Sequence, residues 1–143
     1  MMTITNLRDQ LKRDEGTVLT EYKDHLGYST IGTGRLIDKR KGGGITQEEA
    51  DYLLDNDIAK RQEELLRRAP WMAGLDPVRF GVMQNMAFQM GVDGLLGFKN
   101  TLAMVERGDY TGAAAGMLNS KWAKQTPARA QRLSKQMATG QWQ

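Results

Sequence analysis

The chain has 143 residues, 40% of them hydrophobic and 26% charged, with no cysteine and one histidine. That is the make-up of about one globular domain able to bury roughly 68–70% of its unfolded surface. It excludes a disulfide framework, a thiolate zinc site, a cysteine nucleophile and a histidine-rich metal centre. The formal net charge of +3 is unevenly placed: residues 1–69 hold 13 acidic and 12 basic side chains, residues 70–143 hold 4 and 8, and no acid follows Asp109. Ile4, Leu7 and Leu11 recur at helical spacing and predict a helix over 4–14, with Thr3 or Thr5 as its N-cap and Gly16 as a left-handed C-terminal cap. Residues 17–37 are rich in Thr, Val, Tyr and Ile with interspersed glycines, which predicts a hairpin or three-stranded meander turning near Asp24-His25-Leu26-Gly27. Asp38 to Gly44 reads as a flexible basic loop.

Thr46-Gln47-Glu48-Glu49 is a capping box, and Ala50, Leu53, Leu54, Ile58, Leu65 and Leu66 fall on one side of the helix it opens. Pro70 stops that helix near Arg68, after about 34 Å. Asp76-Pro77 is a cap followed by proline at the first helical position, opening a helix that is apolar on most sides and ends at Gly91. Shorter helices fit 98–107, 109–118 and 119–124; Thr126-Pro127 repeats the cap-proline signal, and Gly140 closes the last helix. The expected architecture is α+β and mostly helical: a small α+β lobe over 1–45 with a β-meander, a connecting helix over 46–69, and an all-helical lobe over 70–143.

Without cysteine and nearly without histidine, chemistry falls to carboxylates. Glu15 and Asp24 stand out. Glu15 lies at the predicted end of the first helix, where the negative end of the helix dipole disfavours the ionised form; an apolar wall beside it would act in the same direction. That is the environment of a general acid. Asp24 lies at a turn, where better solvation keeps it ionised. Two carboxyls in different environments across a groove suit glycoside hydrolysis, and Thr30, across the hairpin, offers a hydroxyl to hold a water. The plain alternative is that Glu15 is a solvated helix end and Asp24 a turn former.

The strings Arg-Asp-Glu-Gly at 13–16, Tyr-Lys-Asp at 22–24 and Gly-Tyr-Ser-Thr-Ile-Gly-Thr-Gly at 27–34 resemble the active-site signature of phage-type lysozymes, glycoside hydrolase family 24. That signature is Glu, eight residues, Asp, five residues, Thr, and Glu15, Asp24 and Thr30 meet it. The resemblance continues in 45–50, in Asn85-Met86-Ala87-Phe88-Gln89-Met90-Gly91, in 98–102 and in 122–130, so it covers essentially the whole chain in order. It implies a lysozyme-like two-lobed fold and a peptidoglycan muramidase that inverts configuration and acts as an endolysin. In that reading Glu15 protonates the glycosidic oxygen, Asp24 activates or positions water on the opposite face of the sugar, and Thr30 helps to hold it. Leu36, Phe88, Gln89 and Thr101 line the groove. Arg129 matches an arginine beside the catalytic glutamate, a cation that opposes the dipole and burial effects.

Two departures from the family pattern stand out. The residue after the Ile-Gly-x-Gly segment is usually histidine; here it is Arg35. The resemblance implies a pair with Asp57 on the interlobe helix, which Arg35 makes without titrating, unless it faces solvent instead. The 38–44 loop is also shorter than in the best-known relatives.

Other features read plainly. His25 is an exposed turn residue, Met83, Met86 and Met90 are core filler, and Trp71, Trp122 and Trp142 are packing residues. Gly32 and Gly34 lack the Gly-Lys-Ser/Thr ending of a phosphate loop. The basic second half suggests an anionic partner such as an acidic glycan, a membrane surface or nucleic acid, or else a solubility charge; no base-reading surface supports nucleic acid. A lytic transglycosylase needs only one Glu, so Asp24 and Thr30 argue against it, and the intact set argues against an inactive wall-binding or virion module. The expected partner is therefore the peptidoglycan glycan strand, bound by a monomer that uses no cofactor and no metal. The N-terminus is polar and no stretch approaches the roughly 20 apolar residues of a membrane span. Residence in the host cytoplasm and release through a holin-type pore are the expectation.

Overall fold

The computed structural model describes residues 4–33, 35–37 and 43–143. The expected Thr3 cap, Gly34 and most of the 38–44 loop lie outside these residues. The chain divides into two compact units, 1–54 and 55–143.

The first unit begins with α1, Ile4–Glu15. Gly16 ends it at φ +75, a conformation that costs a side-chain-bearing residue energy, and its N–H reaches the carbonyl of Lys12 at 2.9 Å. Three antiparallel strands follow in the order β1 (Val18–Lys23), β2 (Ser29–Gly32) and β3 (Arg35–Leu36). Tyr22 pairs with Thr30 and Lys23 with Ser29, then the register shifts before Val18 meets Gly32. On the other edge Thr30 pairs with Leu36 and Ile31 with Arg35. Thr30 therefore sits in the central strand, buried between two neighbours.

Helix α2, Gln47–Arg68, carries the capping box expected of it: the N–H of Glu49 donates to Thr46 Oγ1 and the N–H of Thr46 to Glu49 Oε1, each at 3.1 Å. Its apolar stripe is covered only near the C-terminal end. Leu65 is fully buried and Leu66 packs on the core, whereas Leu53, Leu54 and Ile58 are exposed.

The second unit holds the main core. A 3-10 turn over Pro70–Gly74, not anticipated from sequence, buries Met72. Asp76 caps α3, Pro77–Leu96, by accepting from the N–H of Arg79 at 3.0 Å. Gly91 ends the first helical run, as its position suggests: at φ 80, ψ 160 it leaves the helical region, and a second helical piece follows to Leu96. Burial of Val92 and Leu95 beyond the kink supplies the reason. Then come α4 (Lys99–Glu106), α5 (Tyr110–Leu118), α6 (Lys121–Gln125) and α7 (Pro127–Thr139). Helix α7 packs on α3, α5 and α6, and α4 on α5. Met83 and Met86 are fully buried and Met90 packs on the core, as expected of filler. Asp109 and Ser120 cap α5 and α6 through their side chains. Thr126 does not cap α7; its hydroxyl donates back to the Trp122 carbonyl at 3.0 Å and closes α6 instead.

Trp122 is buried and Trp71 packs against the core. Trp142 is 66% exposed, yet its ring lies over Gly81, where a Cβ would fall 2.5 Å from it. The fold is α+β and mostly helical. Among the described residues no helix is long and apolar enough to cross a membrane.

Candidate active site

The first unit places the carboxylates. Glu15 is the last residue of α1, and its side chain is exposed rather than set against an apolar wall. Asp24 follows β1 at the start of the turn. The N–H of Gly27 closes that turn on the Asp24 carbonyl at 3.0 Å, and the N–H of Asp24 reaches the Tyr28 carbonyl at 2.9 Å. Asp24 Oδ1 accepts from the N–H groups of both Leu26 and Tyr28, each at 2.9 Å. The Tyr28 N–H is the main cause that holds this carboxyl below the ordinary aspartate range; partial desolvation works against it, and the Leu26 N–H and the charge of His25 assist. Asp24 is thus an anion at neutral pH, as its turn position predicts. His25 is exposed in the turn.

Thr30 is buried, and its hydroxyl donates to the Tyr28 carbonyl at 3.1 Å. Tyr28 therefore links the two: its N–H holds Asp24 and its carbonyl orients Thr30. Beside them Lys23 Nζ donates to the buried Ser29 hydroxyl at 2.6 Å and pairs with Glu21 at 3.1 Å.

Arg35 departs from the expected partner. Its Nε donates to Glu49 Oε2 at 2.9 Å and its Nη2 donates to the same oxygen. The carboxylate it reaches is thus Glu49, about two helical turns before Asp57 on α2. Glu49 uses Oε1 for the helix cap and Oε2 for Arg35, so one side chain ties β3 to the start of α2. The Thr46 N–H first, and Arg35 second, hold the Glu49 carboxyl below its usual range. Sequence had already marked Glu49 through its capping box; its second oxygen carried no signal. Asp57 is exposed.

The other expected groove residues spread over both units. Leu36 on β3 is 42% exposed. In the second unit Phe88 is 44% exposed on α3, and its neighbour Gln89 accepts from Trp122 Nε1 at 2.9 Å. The Trp122 ring meets Phe98 edge-on at 6.2 Å. Thr101 is 6% exposed and its hydroxyl lies against α5 at Gly116, where a Cβ would stand 2.8 Å away. The Arg129 guanidinium donates to Asn85 through Nε at 2.9 Å and Nη2 at 2.7 Å to Oδ1, and through Nη2 at 3.3 Å to the carbonyl. A two-point hold of this kind fixes the plane of the guanidinium.

Comparison with known proteins gives this arrangement a family. Residues 12–138 match the sequence profile of phage lysozymes. The chain is 33% identical to probable T4-type lysozyme 1 of Dictyostelium discoideum, over 96% of each chain. It is 32% identical to the pre-baseplate central spike protein Gp5 of Enterobacteria phage T4, over 94% of this chain and 28% of that protein. It is 30% identical to the peptidoglycan hydrolase gp36 of Pseudomonas phage phiKMV, over 94% of this chain and 15% of that protein. With a match from the last turn of α1 to the last turn of α7, and an aspartate and threonine set around Tyr28 where the signature requires them, the chain belongs to the phage lysozyme family.

Proposed function

We propose that the chain is a peptidoglycan muramidase, hydrolysing the β-1,4 bond between N-acetylmuramic acid and N-acetylglucosamine with inversion. The observation that carries this reading is the Asp24 carboxylate, held ionised by turn N–H groups, nine residues after the Glu15 that ends α1 in a phage lysozyme. Glu15 gives its proton to the glycosidic oxygen as the bond to the leaving sugar breaks. A water attacks the anomeric carbon from the opposite face and loses a proton to Asp24. Both Asp24 hydrogen bonds end on Oδ1, which leaves Oδ2 as the oxygen for that water. The Thr30 hydroxyl spends its proton on the Tyr28 carbonyl, so it meets the water as an acceptor and orients the second O–H. Inversion needs room for the water, about 6.5–9.5 Å between carboxyls.

Leu36 of the first unit and Phe88 and Gln89 of the second are each proposed as sugar contacts. The relative named a peptidoglycan hydrolase supports the substrate class. Cell lysis, with a partner's membrane pore giving access to the wall, belongs to the same proposal. The test is digestion of purified peptidoglycan with the anomers of the products followed by proton NMR. The expected first product carries an α reducing-end N-acetylmuramic acid, and Glu15→Gln yields none. A β anomer formed first overturns inversion, and anhydro-muramic ends overturn hydrolysis.

A further inference from the structure

The hairpin that carries Asp24 and Thr30 has no apolar code for its register. Every residue of β1 except Tyr22 is exposed, and Leu19 stands 86% open. The pairing runs in step through Lys23–Ser29 and Tyr22–Thr30, then shifts before Val18. A slip of one residue turns every side chain of a strand to the other face, and a strand without a covered apolar face resists such a slip poorly. The two pairs next to the turn need another hold.

Three polar side chains supply it. Lys23 Nζ donates to Ser29 Oγ at 2.6 Å, directly across the strands, and meets Glu21 Oε1 at 3.1 Å. The Lys23 ammonium first, and the Ser29 hydroxyl second, hold the Glu21 carboxyl below its usual range, so the hydroxyl accepts from the lysine and donates to the glutamate. Ser29 is 3% exposed, which shields its end of this ring from competing water. Side chains alternate along a strand, so Glu21, Lys23 and Ser29 share one face while Tyr22, Thr30 and Leu36 share the other. The ring therefore stands behind the face that carries Thr30 and Leu36, away from a sugar bound there. In sequence, however, Lys23 immediately precedes Asp24, and Ser29 immediately precedes Thr30. The other charges near the ring are His25 in the turn and, at the far edge of the same face, Arg35, which is paired with Glu49. Among the described residues the sheet's extended contacts are between its own strands.

We infer that Lys23 and Ser29, with Glu21, are positioning residues: they pin the hairpin register that brings the Asp24 carboxylate and the Thr30 hydroxyl to the attacking water. This rests on the muramidase reading, in which Asp24 and Thr30 serve that water. The pin acts through Tyr28, the residue before Ser29. The Tyr28 N–H donates to Asp24 Oδ1, and its carbonyl accepts from the Thr30 hydroxyl. When Ser29 loses its hold, the Tyr28 N–H is no longer kept on Oδ1. The Asp24 carboxyl then loses the main cause that lowers it and titrates at higher pH. A base that must be ionised fails at higher pH with it. The Thr30 hydroxyl shifts along with its carbonyl partner, and a displacement of about 1 Å at a reacting group costs up to about 10²-fold in rate.

The test compares Ser29→Ala, which removes the acceptor and keeps the lysine charge, with Lys23→Met, which removes the donor, and Lys23→Arg, which keeps one. Alanine leaves no buried group unpaired, because the lysine retains Glu21. Two quantities are read: the titration of the Asp24 carboxyl carbon by NMR, and kcat and KM on soluble glycan strands across pH. Ser29→Ala and Lys23→Met should each lower kcat by about 10–10²-fold with KM little changed. Both should move the acid limb of kcat and the Asp24 titration to higher pH, and Lys23→Arg should stay with the parent in both. A shift in Lys23→Met without one in Ser29→Ala makes the effect the lysine charge acting through space and overturns the inference. An Asp24 titration unmoved in both variants, or a change in KM alone, overturns it too. The NMR titration needs no turnover. If the parent releases no products from glycan, the muramidase reading falls, while an Asp24 titration that still moves in Ser29→Ala upholds the pin.

Discussion

At the scale of single residues, the account turns on what Glu15, Asp24 and Thr30 can each do with a proton. Glu15→Gln is nearly isosteric at an exposed helix end, so it should fold as the parent does and lose turnover by at least about 10²–10⁴-fold, the usual worth of a general acid. Circular dichroism and a wall-clearing assay on one preparation check both halves; clearing at the parent's rate removes Glu15 from the mechanism. Asp24 has two roles that substitution can separate. Asparagine still offers an oxygen to the Leu26 and Tyr28 N–H groups, but it cannot take a proton from water. Asp24→Asn should therefore keep the turn, melt below the parent at neutral pH by the stabilisation the carboxylate adds, and turn over poorly, whereas Asp24→Ala should lose the turn as well. The folded carboxyl lies below its ordinary value, so its stabilisation is present above the unfolded value of about 3.9 and fades as pH falls through the folded one. Melting curves from pH 7 down to pH 2 should show a larger acid-side loss in the parent than in Asp24→Asn, since Glu49 and Asp76 are lowered in both.

At the scale of elements, caps and breaks carry the structure, and they mark what could be read in advance. Asp76-Pro77, Gly16, Gly140 and the Thr46–Glu49 box are local chemistry, and each does what its sequence predicts. Thr126 offered the same signal and bonded backwards, because the Trp122 carbonyl at the end of α6 competes for its hydroxyl. Gly91 breaks the helical backbone where its position predicts an end. Its φ of 80 and ψ of 160 form a region nearly closed to other residues, so Gly91→Ala should destabilise by about 1–3 kcal/mol even though space around it is open. Gly74, also in open space but at ordinary φ, is the control, and Gly74→Ala should change the melting temperature little. Denaturant midpoints of the two variants decide it.

The Arg35 clamp shows why the site was only partly legible. Glu15 and Asp24 are singled out by the spacing of the phage-lysozyme signature, whereas the partner of Arg35 depends on where β3 meets α2. A double-mutant cycle of Arg35→Met and Glu49→Gln should give favourable coupling, flat between pH 6 and 9 because arginine does not titrate there. Glu49 lies below its ordinary value when folded, so the coupling should persist above the unfolded value of about 4.3 and disappear as pH falls through the folded one. Zero coupling at pH 7 would show that the contact does not stabilise the fold.

At the scale of the whole molecule, two chemistries are divided between two stretches of chain. Residues 1–54 hold Glu15, Asp24 and Thr30, the proposed acid, base and water-orienting threonine, and residues 55–143 hold the methionine-rich core and the cationic helices. The order of elements and the helical class follow from periodicity and punctuation; the placement of Thr101 in the interior does not, since threonine patterns alike on covered and open faces. The central claim is that water cleaves the glycan at the muramic acid residue. Digesting peptidoglycan in water enriched in heavy oxygen and weighing the fragments tests it most directly. The account predicts one heavy oxygen at each new reducing-end N-acetylmuramic acid. Unlabelled anhydro-muramic ends, or label at N-acetylglucosamine, would contradict it.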